Sequence, residues 1–174
     1  MTPRRISIRT AKETTMTIAV NTGFGEAERT SIAEALSKVL ADTYALYLKT
    51  HGYHWNVTGP TFQALHTLFE GQYREEWQAL DDIAERIRAL GELVPQTYSA
   101  FANLTAIKDG HASLDSDAMV AELLLDNETV VKAIRGAFAV AESASDEATM
   151  DMLNARTAAH EKHAWMLRAT LDVK

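Results

Sequence analysis

His54 and His66 stand six residues on either side of Pro60, and the stretch Asn56-Val57-Thr58-Gly59-Pro60 reads as a break between two apolar-periodic segments. If those segments are antiparallel helices, the two imidazoles face one another. Glu70 follows His66 at i+4 and shares its helix face, completing a set of two imidazole nitrogens and one carboxylate suited to iron or a similar divalent ion. Asp81 and Glu85 repeat the i, i+4 spacing. Fifteen residues at 100° per residue leave Asp81 about 60° from the azimuth of His66, but the same residues rise roughly 22 Å, too far for a shared ion within one chain. The positions supply a remedy, because the pair 66 and 85 shares its midpoint with the pair 70 and 81. Packing this helix against its own copy about a two-fold axis sets His66 beside Glu85, and Glu70 beside Asp81, of the partner chain. A dimer would then hold two composite centres. Paired carboxylates and histidines at i+4 are also common on solvated helix faces, and spacing alone leaves the two readings balanced.

The elements that must position these residues are helical. Ile32, Leu36, Val39, Leu46 and Tyr53 mark an amphipathic helix from about Ser31 to Trp55, with Ser31 and Glu34 as its expected capping box. Phe62, Leu65, Phe69, Tyr73, Trp77, Leu80, Ile83, Ile87 and Leu90 mark a second, ending at Gly91. Residues 92–115 are too long for an ordinary bundle turn and carry only a brief apolar patch (Tyr98, Phe101, Leu104), so the connection is expected to contain one small helix. Two further helices are predicted over 116–142 and 146–171, and no strand. The plan is all-α: a ferritin-like four-helix bundle with a short extra helix in the long connection between the second and third helices, which run the same way.

With 174 residues, 47% apolar and 24% charged, the chain has the composition of a soluble globular domain. It contains no cysteine, so disulfides and thiolate metal sites are excluded and any metal must rest on imidazole and oxygen. No apolar run is long enough to span a membrane, and the first residues lack the apolar stretch of a secretory signal; a cytoplasmic protein is expected. The net charge of −7 is unevenly placed. Residues 1–12 hold Arg4, Arg5, Arg9 and Lys12 and no acidic residue, which leaves 13 basic against 24 acidic residues beyond them, a charge of −11. Residues 1–25 are read as a basic flexible tail and 26–174 as the bundle domain.

The run HWNVTGPTFQALHTLFE, followed by LDDIAERIRALG and, near the end, by SDEATMDMLNARTAAHEKHAWMLRATL, resembles the signature of the Dps family, the DNA-binding proteins from starved cells or mini-ferritins. The resemblance covers about residues 30–171 and leaves only the tail outside. It implies a ferritin-like fold assembled as a hollow homododecamer, with ferroxidase centres between two-fold-related subunits. Iron would be held by His54, His66 and Glu70 of one chain and Asp81 and Glu85 of its partner, the same pairing that the midpoint gives. Fe(II) would be oxidised there, preferentially by hydrogen peroxide, and stored as ferric mineral, protecting DNA from oxidative damage. The position of Glu70 is often Asp in the family, which implies a shifted iron affinity rather than its loss. Larger ferritins and bacterioferritins bind both metals inside one bundle through Glu-x-x-His motifs, and this sequence contains none.

The resemblance also touches residues with plainer readings. Trp55 would lie by the iron centre as an electron donor, or simply pack in the hairpin. Asp146 and Asp151 would line the three-fold channel through which iron passes, or cap the last helix and complement its dipole. Arg4, Arg5, Arg9 and Lys12 resemble the basic extensions by which some members bind DNA through phosphates without sequence preference. Against this stand the modest charge of each tail, the acidic body and Met16, an alternative start that would delete the tail. A nucleoid-compacting protein acting through that tail is the alternative function. Trp77 and Trp165 are expected in the core, His160 as a satisfied core or interface histidine and His51 as a partly exposed one near the site; His111 and His163 carry no usable pattern.

Overall fold

Four long helices are each held to two neighbours in fixed antiparallel register by side-chain contacts near their ends. The computed structural model describes residues 19–171, so Arg4, Arg5, Arg9, Lys12 and Met16 lie outside the described residues. The helices are α1 (Glu26–Asn56), α2 (Phe62–Ala89), the short α3 (Tyr98–Leu104), α4 (Ser116–Ser143) and α5 (Glu147–Thr170), and no strand occurs among the described residues. The end of α1 meets the start of α2 at His54 and His66, and the start of α4 where Lys49 Nζ lies 2.6 Å from Asp126. The end of α2 meets the start of α5, where Arg86 reaches Asp146. Both α2 and α4 therefore run antiparallel to α1 and parallel to each other, as the long connection requires.

Local chemistry sets the ends. The Gly25 amide donates to the Glu28 carboxylate at 2.7 Å, and Glu26 and Glu28 place negative charge at the positive end of the α1 dipole. The helix thus begins five residues before Ser31, and the Ser31–Glu34 capping box does not form. The first buried residue is Ile32, so this opening turn has no core-facing residue to betray it. Thr97 Oγ1, Asp115 and Asp146 cap α3, α4 and α5 by accepting from the amides of Ala100, Ala118 and Thr149. Gly91 ends α2 with φ 91°, where the left-handed region favours glycine, and Val20 Cγ2 lies 2.8 Å from where a Cβ would stand. Val20 and Phe24 thus already lie against the body of the protein.

The core is filled by Ile32, Leu36 and Leu46 of α1, Phe69, Ile83 and Ile87 of α2, Met119, Leu123 and Ile134 of α4, and Leu153 and Leu167 of α5, all almost fully buried. Burying each such side chain is worth roughly 1.5–3 kcal/mol. The connection from Leu90 to Asp115 must climb back along a bundle about 42 Å tall, the length of a 28-residue helix. It is pinned on the way. Phe101 stacks on Tyr44 at 4.5 Å between centroids, and buried Asp42 accepts from Thr105 Oγ1 at 2.8 Å and the Ala106 amide at 2.7 Å. At Gly110 the backbone passes so close to α1 that a Cβ would stand 2.8 Å from both Lys49 Cγ and Tyr53 Oη.

Two aromatic expectations are corrected. Trp77 and Trp165 are 60% and 62% exposed, because Glu76 and Ala164, one residue earlier and about 100° round the helix, take the inward positions. Asp146, one of the two expected channel aspartates, is 1% exposed. It caps α5 and accepts two bonds of 2.7 Å from Arg86 and one of 2.6 Å from Thr149 Oγ1, leaving no free oxygen for a passing cation. Asp151 is exposed and remains available for such a role.

Burial raises the Asp146 carboxyl, but the bonds from Arg86 and Thr149 outweigh it and hold the group below its ordinary range. A depressed carboxyl contributes stability that is complete above the unfolded value near 3.8 and fades as pH falls below it. Asp146→Ala should therefore cost about 2 kcal/mol in urea at pH 7, for the lost cap and the stranded Arg86 charge. The difference from the parent protein should shrink in matched melts below pH 4; a deficit independent of pH would reject the assignment.

Candidate metal centre

The bend at residues 57–61 returns α2 along α1, and the two histidines lock onto each other's backbone. His54 Nδ1 lies 2.8 Å from the carbonyl oxygen of His66, and His66 Nδ1 lies 2.9 Å from that of His54. A carbonyl only accepts, so each Nδ1 carries a proton, which leaves Nε2 as the nitrogen that can ligate a metal. The rings stack at 3.7 Å with 21° between planes, so the two nitrogens emerge side by side. Outer-sphere bonds of this kind orient metal-binding imidazoles and fix their tautomer.

Glu70 is half-buried one turn along α2 and receives Arg74 Nε at 2.9 Å. The Arg74 bond holds the Glu70 carboxyl below its ordinary range, with the positive field of His54 and His66 acting the same way. The structure thus pairs His54 with His66, whereas Glu70, on the same side of α2, is turned to Arg74 and does not close with both imidazoles to the spacing of a shared ion within one chain. Asp81 and Glu85 stand exposed further along α2, on the side away from its buried residues, and are not brought to the pair within one chain. A groove of about 920 Å³ is lined by Leu48, Trp55, Tyr98 and Phe101 among others and includes none of the five acidic and imidazole groups.

Trp55 is 63% exposed and reaches the pair through two intermediaries. Its ring centroid is 4.2 Å from His51, which stacks on Tyr73 at 4.0 Å, and Tyr73 meets His54 edge-on at 5.2 Å. His51 is half-buried in this aromatic group, and burial, then the charges of His54 and Arg74, lower its pKa.

A second polar group, which periodicity did not separate from the core, lies inside the bundle. Buried His160 has Nδ1 2.9 Å from Asn127 Oδ1 and Nε2 3.2 Å from an Arg156 nitrogen, and Asn127 in turn donates to the Leu123 carbonyl. Arg156 is held by both carboxylate oxygens of Glu75. Burial, with the charges of Arg156 and His163, keeps His160 neutral by lowering its pKa well below the usual value. Glu76 is fully buried beside them, and burial, with Glu75 adjacent, pushes its carboxyl up to about 8. His160 is the satisfied core histidine expected. Glu76 and His163 gave only one signal, a charged or polar residue at a core position of its helix.

A Ferritin-like domain model matches residues 33–173. A DNA protection during starvation protein of Brevibacillus brevis is 38% identical over 141 residues, covering 81% of this chain and 95% of that protein. The chain is a ferritin-like protein of the Dps family. A second relative, DNA protection during starvation protein 2 of Bacillus anthracis, is 36% identical over 81% of this chain and 97% of its own length. Among solved structures, a Dps protein from Bacillus brevis superposes with TM-score 0.82 at 36% identity, covering 86% of this chain and all of that one. The Dps protein of Vibrio cholerae O1, described as a member of a broad superfamily of ferritin-like diiron-carboxylate proteins, superposes with TM-score 0.84 at 29% identity over 90% of this chain and 99% of its own. The four-helix plan with a short helix in its long connection is thus the Dps-family fold, and no helix among the described residues is long and apolar enough to cross a membrane.

His160→Ala leaves Asn127 Oδ1 and an Arg156 N–H unpartnered and opens a cavity, so this Dps-family bundle should lose about 2–4 kcal/mol in urea unfolding. A loss below about 0.5 kcal/mol would mean that the network does not support the core.

Proposed function

We propose that this protein is a ferroxidase of the mini-ferritin type, with iron as its substrate and cargo. Fe(II) would be bound between two-fold-related subunits by His54, His66 and Glu70 of one chain and Asp81 and Glu85 of the partner, two centres to a dimer. The observation that carries the reading is the crossed pair of Nδ1 bonds in a stacked pair of imidazoles, which leaves the Nε2 atom of each ring as its ligating nitrogen. Borderline nitrogen and hard carboxylate donors suit ferrous iron and favour its ferric product. The shared midpoint of 66 with 85 and of 70 with 81 supports completion by a second copy, as do Phe62 and Trp77, exposed on the same helix.

In the reaction, two Fe(II) ions give one electron each to hydrogen peroxide, whose O–O bond breaks and yields two waters on uptake of two protons. The imidazoles fix the geometry and the carboxylates offset the growing charge on iron. Ferric iron would then collect in the cavity of a homododecamer, which Fe(II) reaches through a three-fold channel lined by Asp151. Trp55, connected through His51 and Tyr73, is placed to give up an electron if an iron ion passes only one to peroxide. Removing iron and peroxide together protects DNA, in keeping with the names of the curated relatives. The protein would work in the cytoplasm.

Asp81→Ala combined with Glu85→Ala should slow peroxide-driven Fe(II) oxidation, followed by stopped-flow absorbance of ferric product, at least about tenfold. Rates equal to the parent would remove the inter-subunit assignment.

A second reading, DNA binding through the basic tail, draws on those same relatives' names and on Arg4, Arg5, Arg9 and Lys12. Repeated on every subunit, such tails would act multivalently and place the protein on the nucleoid. Iron-free full-length assembly should retard plasmid DNA in a gel, less so as salt rises, while a chain beginning at Met16 should not. Equal retardation by both would place any DNA contact outside the tail, and none by either would leave protection to iron chemistry alone.

A further inference from the structure

Inside the bundle, about 15 Å along α2 from His66 and about 80° round it, lies another set of metal-binding side chains. Glu76 of α2 and His160 and His163 of α5 are all buried, and each offers a ligand atom within 4.8 Å of the others. Neither oxygen of Glu76 has a hydrogen bond, and neither has Nδ1 of His163, which stands 4.0 Å from Glu76 Oε1. Thr50 Oγ1 on α1, which faces Glu76, and both amide atoms of Gln72 one turn before Glu76 are likewise buried and make no hydrogen bond of normal geometry. Buried polar atoms are rarely left unpaired, and here the orphans come from three helices.

Three occupants could satisfy them: water, a proton on Glu76 shared with His163, or a cation. The arrangement around His160 favours the cation. Its Nδ1–H is committed to Asn127 Oδ1, and the Asn127 amide is fixed by its own bond to the Leu123 carbonyl, so Nε2 faces inward with its lone pair. That is the outer-sphere support a metal-binding imidazole needs, built inside the bundle. The charge beside it is already matched. Arg156 approaches His160 Nε2 at 3.2 Å but is anchored by both oxygens of Glu75, so it can release the imidazole and keep its ion pair. A metal bond length near 2.1 Å asks the three donor atoms to close to about 3.4 Å, a shift of roughly 1 Å that Glu76 and His163, which make no hydrogen bond of their own here, can supply while His160 stays on Asn127.

We propose that Glu76, His160 and His163 form an intrasubunit site for one divalent cation of the zinc, cobalt or ferrous class, with Thr50 or a water in the fourth position. Two imidazoles and one carboxylate select borderline ions over magnesium or calcium. The site is independent of the inter-subunit centre: it lies within one chain and needs no partner.

The test is cobalt binding to the assembled full chain carrying Glu70→Ala, Asp81→Ala and Glu85→Ala, which removes every carboxylate of the inter-subunit centre, read by bound Co(II) per chain and by the intense visible absorption of four-coordinate cobalt. One ion per chain with that absorption is expected, and Glu76→Gln or His163→Gln added to the same background should reduce the occupancy of this site at least tenfold. Cobalt retained equally by both added variants, or no four-coordinate absorption in the background, would overturn the proposal. If either added variant fails to fold, the thermal midpoint of the background assembly decides: a rise with Co(II) and none with Mg(II) supports the site, and no rise with Co(II) rejects it.

Discussion

The crossed bonds between His54 and His66 set a single point of register on which much of the molecule's arrangement depends. Each imidazole reaches the other residue's carbonyl only if α1 and α2 are antiparallel, closely spaced and aligned at those two positions. One contact therefore fixes hairpin register and ring tautomer together. The bend supports it, with Val57 buried and Pro60 and Gly59 turning the chain at an exposed tip. Because the nitrogens are oriented by backbone rather than by flexible side chains, they stay preorganised even where Glu70 turns toward Arg74.

The interior is organised on another principle. A bundle with a purely apolar core would be simpler to stabilise, yet α2, α4 and α5 carry Glu75, Glu76, Asn127, Arg156, His160 and His163 along one seam. Such a seam is costly to dehydrate, and an unpaired member costs more than a paired one. In exchange it specifies which helix faces which: Asn127 can satisfy His160, and Arg156 can reach Glu75, in one alignment of three helices. Register among α2, α4 and α5 is thus written in polar contacts, as that between α1 and α2 is at the histidine pair.

What was legible in the sequence follows from this division. Helix faces, the break at Pro60, the stop at Gly91 and the small helix in the connection announce themselves through periodicity and turn chemistry, and all are found near the expected places. The facing of His54 and His66 followed from their equal distances to Pro60. Less legible was anything decided by a partner distant in sequence. The opening turn of α1 buries nothing, so periodicity sets the helix start five residues late, at Ser31. Trp77 and Trp165 were placed inside because bulk and spacing suggest core, whereas Glu76 and Ala164 hold the inward positions. Asp146 was read two ways, and only the approach of Arg86 from sixty residues away decides for the cap. The interior seam stayed hidden because its residues come from three helices and no local spacing unites them.

Those misplaced tryptophans have an optical consequence. Trp55, Trp77 and Trp165 lie on α1, α2 and α5, and each leaves well over half of its surface uncovered in the single chain. The protein therefore carries its three tryptophans on outer helix faces and none in its core. Emission from this chain should report poorly on unfolding of the interior and sensitively on whatever comes to lie against each face, so that subunit contact, metal loading and solvent access can be followed by colour and quenching without an added label.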